Sequence, residues 1–260
     1  LATVLVGGKV GAKSLVALAV TLVCLFWILI PLLMKGASTL VTVFLVCAYI
    51  TVVTMVILGG VCRKTVCAAL GTVAGTALAL LFGLLSQSLL RIDGLRLTDV
   101  EPLLQLRQTG TPLSLRGLLV AGVVISALGA VMDVAMSISS ALTEVHTVAP
   151  DRDGRALFRS GMNIGRDMVG TMTNTLILAF LGSGLSFIIY LYSLGLDPRQ
   201  LISSPYMATE VISGIASSIG VILAVPLTAL ITSFILVKDK KPKAPCGSKP
   251  EDKKLPKEVQ

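Results

Sequence analysis

Six apolar blocks, near residues 14–34, 38–60, 65–90, 115–140, 168–193 and 208–237, constrain this chain more than anything else in it. Each is long enough to cross a bilayer as a helix, which takes about 20 residues. Charge falls at the block ends, except in the fourth, where Asp133 stands mid-run. A large soluble helical core would show a polar stripe at the helical period, and these blocks do not. Composition agrees: 54% of the 260 residues are hydrophobic and 14% charged, against about 25% charged in a soluble domain. The expected fold class is all-α, a polytopic membrane protein with about six transmembrane helices within residues 1–237.

The first residues, LATVLVGG, are too short to span a bilayer and lack the charged n-region of a signal peptide. They read as the truncated last turns of an earlier membrane helix, with GGKVGAK as the turn into the next. A trimmed, unstructured end is the alternative.

Basic residues divide between alternate ends of the blocks. One set holds Lys9, Lys13, Arg63, Lys64, Arg152, Arg155, Arg159, Arg166 and eight tail lysines, 16 of the 22 in the chain. The other holds Lys35, Arg91, Arg96, Arg107, Arg116 and Arg199. Loops rich in Lys and Arg stay in the cytoplasm, so both ends of this chain are expected inside a bacterial cytoplasmic membrane. The net charge of +8 then reflects topology and contact with anionic lipid. No basic face with interleaved aromatics argues for nucleic acid. The tail, residues 238–260, is rich in Lys and Pro and is expected to be a disordered cytoplasmic end.

Cys24, Cys47 and Cys67 sit in or beside the blocks, where Cys behaves as a small hydrophobe. Cys62 and Cys67 have no second pair nearby, so neither a metal site nor a cofactor is expected. His146, the lone histidine, reads as a surface residue at the cytoplasmic end of the fourth block.

The run ISALGAVMDVAMSISSALTE, residues 125–144, raises the functional question. A carboxylate at mid-span costs about 2.5–3.5 kcal/mol on insertion scales and by default faces protein or water. Helical steps from Asp133 reach Ser126, Gly129, Ser137, Ser140 and Glu144, one small and polar stripe. Such a stripe permits close helix packing. An Asp that only hydrogen-bonds a neighbouring helix is the alternative reading.

Downstream, residues 150–167 are charged and amphipathic, as expected of a helix at the cytoplasmic interface. The fifth block then enters the membrane with Arg166 at its start and Gly170, Thr171, Thr173, Asn174 and Thr175 in its first turns. In the sixth, Glu210, Ser213, Ser217 and Gly220 share a face, with Ser218 beside it. The three polar faces are expected to meet through Gly129, Asp133 and Ser137, Gly170 and Asn174, and Gly214 and Ser217.

The segments GAVMDVAMSISSAL, LFRSGMNIGRDMVGTMTNTLILAF and GIASSIGVILAVPL resemble the YibE/F-like bacterial membrane proteins, over residues 9–237. That resemblance implies an extracytoplasmic region and a membrane helix upstream of residue 1. The last three helices also resemble SecF, of the SecD/SecF export factor, and the RND transporter superfamily. On that pattern Asp133 corresponds to the proton-linked carboxylate and Arg166 to the basic residue opposing it. Ser217 and Ser218 correspond to the small-residue crossing. The chain departs from SecF in its extra early helices and in lacking a large extracytoplasmic domain within residues 1–260.

Two functions follow. In the first, the chain is an ion-coupled transport or export component. Asp133 exchanges a proton, and Arg166 responds with Asn174 and Thr175. Burial and a neighbouring cation shift a carboxylate's titration in opposite directions, so such a pair can be poised near the working pH. The polar stripe of Ser137, Ser140, Gly170, Thr171, Ser217 and Ser218 would then be packing. In the second, the chain is a non-transporting scaffold or accessory subunit whose stripe joins helices, within an oligomer or against a partner subunit. An enzyme is not expected: an intramembrane aspartyl protease needs two carboxylates sharing a proton, and GSGLS at 182–186 has no membrane histidine to serve as base.

Overall fold

The computed structural model describes residues 2–35, 38–90, 115–150, 152–193, 195 and 205–238, and those residues form an all-helical bundle. Helix α1 (Ala2–Cys24) runs through a π-helical turn at Leu25–Leu29 into α2 (Ile30–Met34). Then follow α3 (Thr39–Gly59), α4 (Arg63–Leu90), α5 (Leu115–Val148), α6 (Gly154–Ser193) and α7 (Pro205–Lys238). Six spans among the described residues are long and apolar enough to cross a membrane, the fifth running over Gly154–Ser186.

Helix breaks have local causes. Gly8 interrupts α1 with φ 52° and ψ −130°, so residues 2–7 form a short helical segment ahead of the first span. The π turn precedes Pro31, whose ring clashes with the carbonyl four residues back and whose nitrogen cannot donate; the wider turn relieves both. Gly60, at φ 71°, ends α3 in a left-handed conformation that favours glycine.

Apolar burial alone does not drive helices together in lipid, so close backbone approach does much of the work. The centre of the bundle is the trio α4, α5 and α7. Between α4 and α7, Gly71 meets Thr228, Gly75 meets Ala224 and Ala79 meets Gly220, an antiparallel ladder of small residues. A Cβ on Gly75 would fall 2.7 Å from the Ala224 Cβ, and one on Gly220 2.7 Å from the Ala79 Cβ. Around this trio lie two apolar clusters. Leu29, Val43, Ile50, Val124 and Leu128 join the early helices to α5, while Val131, Ile138, Leu142, Leu157 and Val225 join α5, α6 and α7.

Residues 154–167 run without a break into the fifth span. They are the first third or so of one continuous 40-residue helix, α6, packed on α5 and α7. Leu157, Gly161 and Gly165 are buried on its inner face, with Arg155, Arg159, Arg166 and Asp167 exposed outside. The amphipathic pattern is therefore satisfied by helix packing. At about 1.5 Å per residue α6 is about 60 Å long, twice the hydrocarbon thickness of a bilayer. His146 departs from expectation, being buried at 9% exposure near the end of α5. The tail beyond Lys238 and the loop residues Arg91, Arg96, Arg107 and Arg199 lie outside the described residues.

Candidate functional site

Helix α5 has two unlike faces. Val124, Ala127, Val131, Val134, Ile138 and Leu142 are buried in the bundle. On the opposite side Gly122, Gly129, Asp133, Ser137 and Glu144 are exposed, with Ser126 and Ser140 partly buried. The stripe read from the sequence is thus a real face, and its centre points out of the bundle. A Cβ on Gly122 or Gly129 would have nothing within 4 Å, so internal packing does not require glycine at either position.

Helix α6 reaches α5 and α7 through other glycines. A Cβ on Gly161 would lie 2.9 Å from the Leu142 Cδ1 and 3.0 Å from the Ala229 Cβ. At Gly165 a Cβ would collide with Val225 and lie 3.4 Å from the Ile138 Cδ1. This contact fixes the rotation of α6 and turns Arg166, Gly170, Thr171, Asn174 and Thr175 outward, all exposed. The hydroxyls of Thr171 and Thr175 donate to their own helix, at 3.0 Å to Met168 O and 2.8 Å to Thr171 O.

The polar contact that the structure forms between these helices is a different pair from the expected ones. Ser126 and Ser217 lie with their Oγ atoms 3.1 Å apart across α5 and α7, and the Ser217 hydroxyl also approaches Val123 O at 3.4 Å. Ser217 and Ser218 are buried, and the Ser218 hydroxyl has no hydrogen-bond partner among the described residues. Gly214 packs on Phe180 of α6. Gly129, Asp133 and Ser137, and likewise Gly170 and Asn174, stay outside the contacts, because Gly161 and Gly165 decide which side of α6 faces inward.

Depth still relates Asp133 to Arg166. The helices are antiparallel, with Ile138 beside Gly165 and Leu142 beside Gly161. Counting from those contacts, Asp133 and Arg166 stand about one turn, roughly 6 Å, apart along the bundle axis. They occupy neighbouring levels on two outward faces. Sequence reasoning passed over Gly71, Gly75, Gly161 and Gly165, although both pairs show the small-xxx-small spacing that marks membrane-helix crossings. It also passed over Ser139, which donates to Lys64 O at 2.7 Å and ties α5 to the start of α4.

With this geometry in view, the comparison with known families is decisive. The family model described as YibE/F-like protein matches residues 1–238. The chain belongs to the YibE/F-like family. No curated protein and no solved structure matches it. Within this YibE/F-like protein, no group of three or more His, Cys, Asp or Glu side chains gathers among the described residues as a metal site would require.

Proposed function

We propose that this YibE/F-like protein is a proton-coupled transport or export component, without enzymatic chemistry, in which Asp133 is the proton-exchanging group. The carrying observation is that Asp133 takes no part in joining the helices. Small residues and the Ser126–Ser217 pair do that, while the carboxylate sits on an open polar face within a membrane span. An ionisable group in such a place is a functional group by default. Arg166, at a neighbouring level, responds to its charge, and Asn174 and Thr175 extend the polar path along α6. The resemblance of the last three helices to SecF and the RND transporters supports the same roles.

A carboxylate and its glycines facing bare lipid would be unstable, so the α5 face is covered by further protein: a second copy, a partner membrane subunit, or an upstream segment. We place the chain in the bacterial cytoplasmic membrane with both ends inside. The start of α4, the end of α5, the start of α6 and the end of α7 share one end of the bundle, where Arg63, Lys64, Arg152, Arg155 and Lys238 gather.

The open glycines favour one second reading, a scaffold whose α5 and α6 faces only receive a partner helix. Proton flux into sealed proteoliposomes, measured with the whole chain and with Asp133→Asn, separates the two: a scaffold gives no flux that depends on Asp133.

A further inference from the structure

We propose that the basic end of the bundle holds one anionic phospholipid in a groove between the first turns of α6 and the last turns of α7. The groove encloses about 430 Å³, within the range of small-molecule sites. Its walls are Phe158, Leu230, Phe234 and Val237, and its rim carries one cation from each helix, Arg155 and Lys238. Gly154 brings the walls together, since a Cβ there would lie 3.2 Å from the Val237 Cγ2.

Three features select the occupant. The walls are open to the surroundings, with Phe234 69% and Leu230 56% exposed, at the terminus of two membrane spans. The Ser233 hydroxyl already donates to Leu230 O at 3.0 Å, so the polar demand of the groove is confined to its rim. The rim carries these two cations, and no Asp or Glu lines the groove among the described residues. A body that is apolar over its length and anionic at its head matches this surface. An acyl chain lies along Phe158, Leu230 and Phe234, and the headgroup phosphate takes the planar donors of Arg155 with the Lys238 ammonium. Basic pockets between membrane helices at a bilayer surface are suited to such headgroups. The site is independent of Asp133.

Tryptophan quenching tests this in the whole chain. Trp27 is the single tryptophan and is 81% exposed on the first span, well away from the groove. Phe234→Trp in a Trp27→Phe background puts the reporter in the groove, and Phe158→Trp provides a second should the first fold poorly. The probes are brominated phosphatidylglycerol and brominated phosphatidylcholine in mixed vesicles. The groove tryptophan should be quenched at about 25-fold lower mole fraction of the anionic lipid, taking about 5-fold per cation. Arg155→Gln with Lys238→Gln should abolish that preference, while Trp27 in the native chain shows none. Equal quenching by the two lipids, persistence of the preference in the double variant, or the same preference at Trp27 would each overturn the proposal.

Discussion

Ser126 on α5 and Ser217 on α7 share a hydrogen bond, Oγ to Oγ at 3.1 Å, across a crossing where a Cβ on Gly220 would come 4.0 Å from the Ala127 Cβ. Ser126 also donates its one hydroxyl hydrogen to Val123 O at 3.0 Å, so the Ser217 hydroxyl is then the donor between the helices. Interhelical bonds of this kind contribute about 0.6 kcal/mol on average in membranes. Ser126→Ala should therefore lower stability by about that amount in a detergent unfolding titration. Ser217→Leu adds volume at a site with no exposure and should cost about 1–3 kcal/mol. Equal, negligible effects would show that this crossing does not hold the bundle.

The glycines divide into closed and open classes, and substitution reads the difference. Gly75→Val and Gly165→Val place atoms inside Ala224 and Val225 and should destabilise the isolated chain by about 1–3 kcal/mol. Gly129→Ala and Gly170→Ala meet nothing within 4 Å, and each gains up to about 1 kcal/mol of helix propensity. The isolated chain should tolerate or benefit from the second pair. If further protein covers α5, those same changes should weaken assembly, read as a shift in complex size on gel filtration in detergent.

How much of this was legible in the sequence depends on the physics at each position. The spans were legible because each apolar block is as long as a bilayer is thick, a one-dimensional property. The polar stripe through Asp133 was legible as a face because helical periodicity fixes which residues share a side. Its direction was not. In a soluble helix polarity points to water, but lipid and helix interior are both apolar, so the stripe alone does not say which side is inward. The crossings at Gly71, Gly75, Gly161 and Gly165 supply that missing information, and their spacing stands in the sequence. The same glycines give residues 154–167 a packed inner face within the continuous helix α6.

Orientation has a direct measurement. The basic residues at the start of α6 and the turn at Lys35 lie at opposite ends of the bundle. In a chain whose native cysteines are replaced, single cysteines at Arg155 and at Lys35 should label from opposite sides of sealed vesicles. Arg155 should be reached from the cytoplasmic side. Labelling of both from one side would overturn the topology.

Asp133→Asn separates proton coupling from scaffolding. Asn keeps the size and a hydrogen-bonding group but cannot exchange the proton. Because Asp133 lies outside the packed face of α5, the change should leave insertion, expression and unfolding nearly unaltered. It also removes a carboxylate that is costly at mid-span, so stability should if anything rise. A proton-coupled carrier would nonetheless lose its flux in proteoliposomes, since the site no longer changes charge. Arg166→Gln should act in the same direction by removing the neighbouring cation. Ser137→Ala should do much less, because that hydroxyl lies exposed one turn away and carries no charge. Full activity of Asp133→Asn at normal expression would remove ion coupling through this residue and leave the α5 face as a docking surface for another helix.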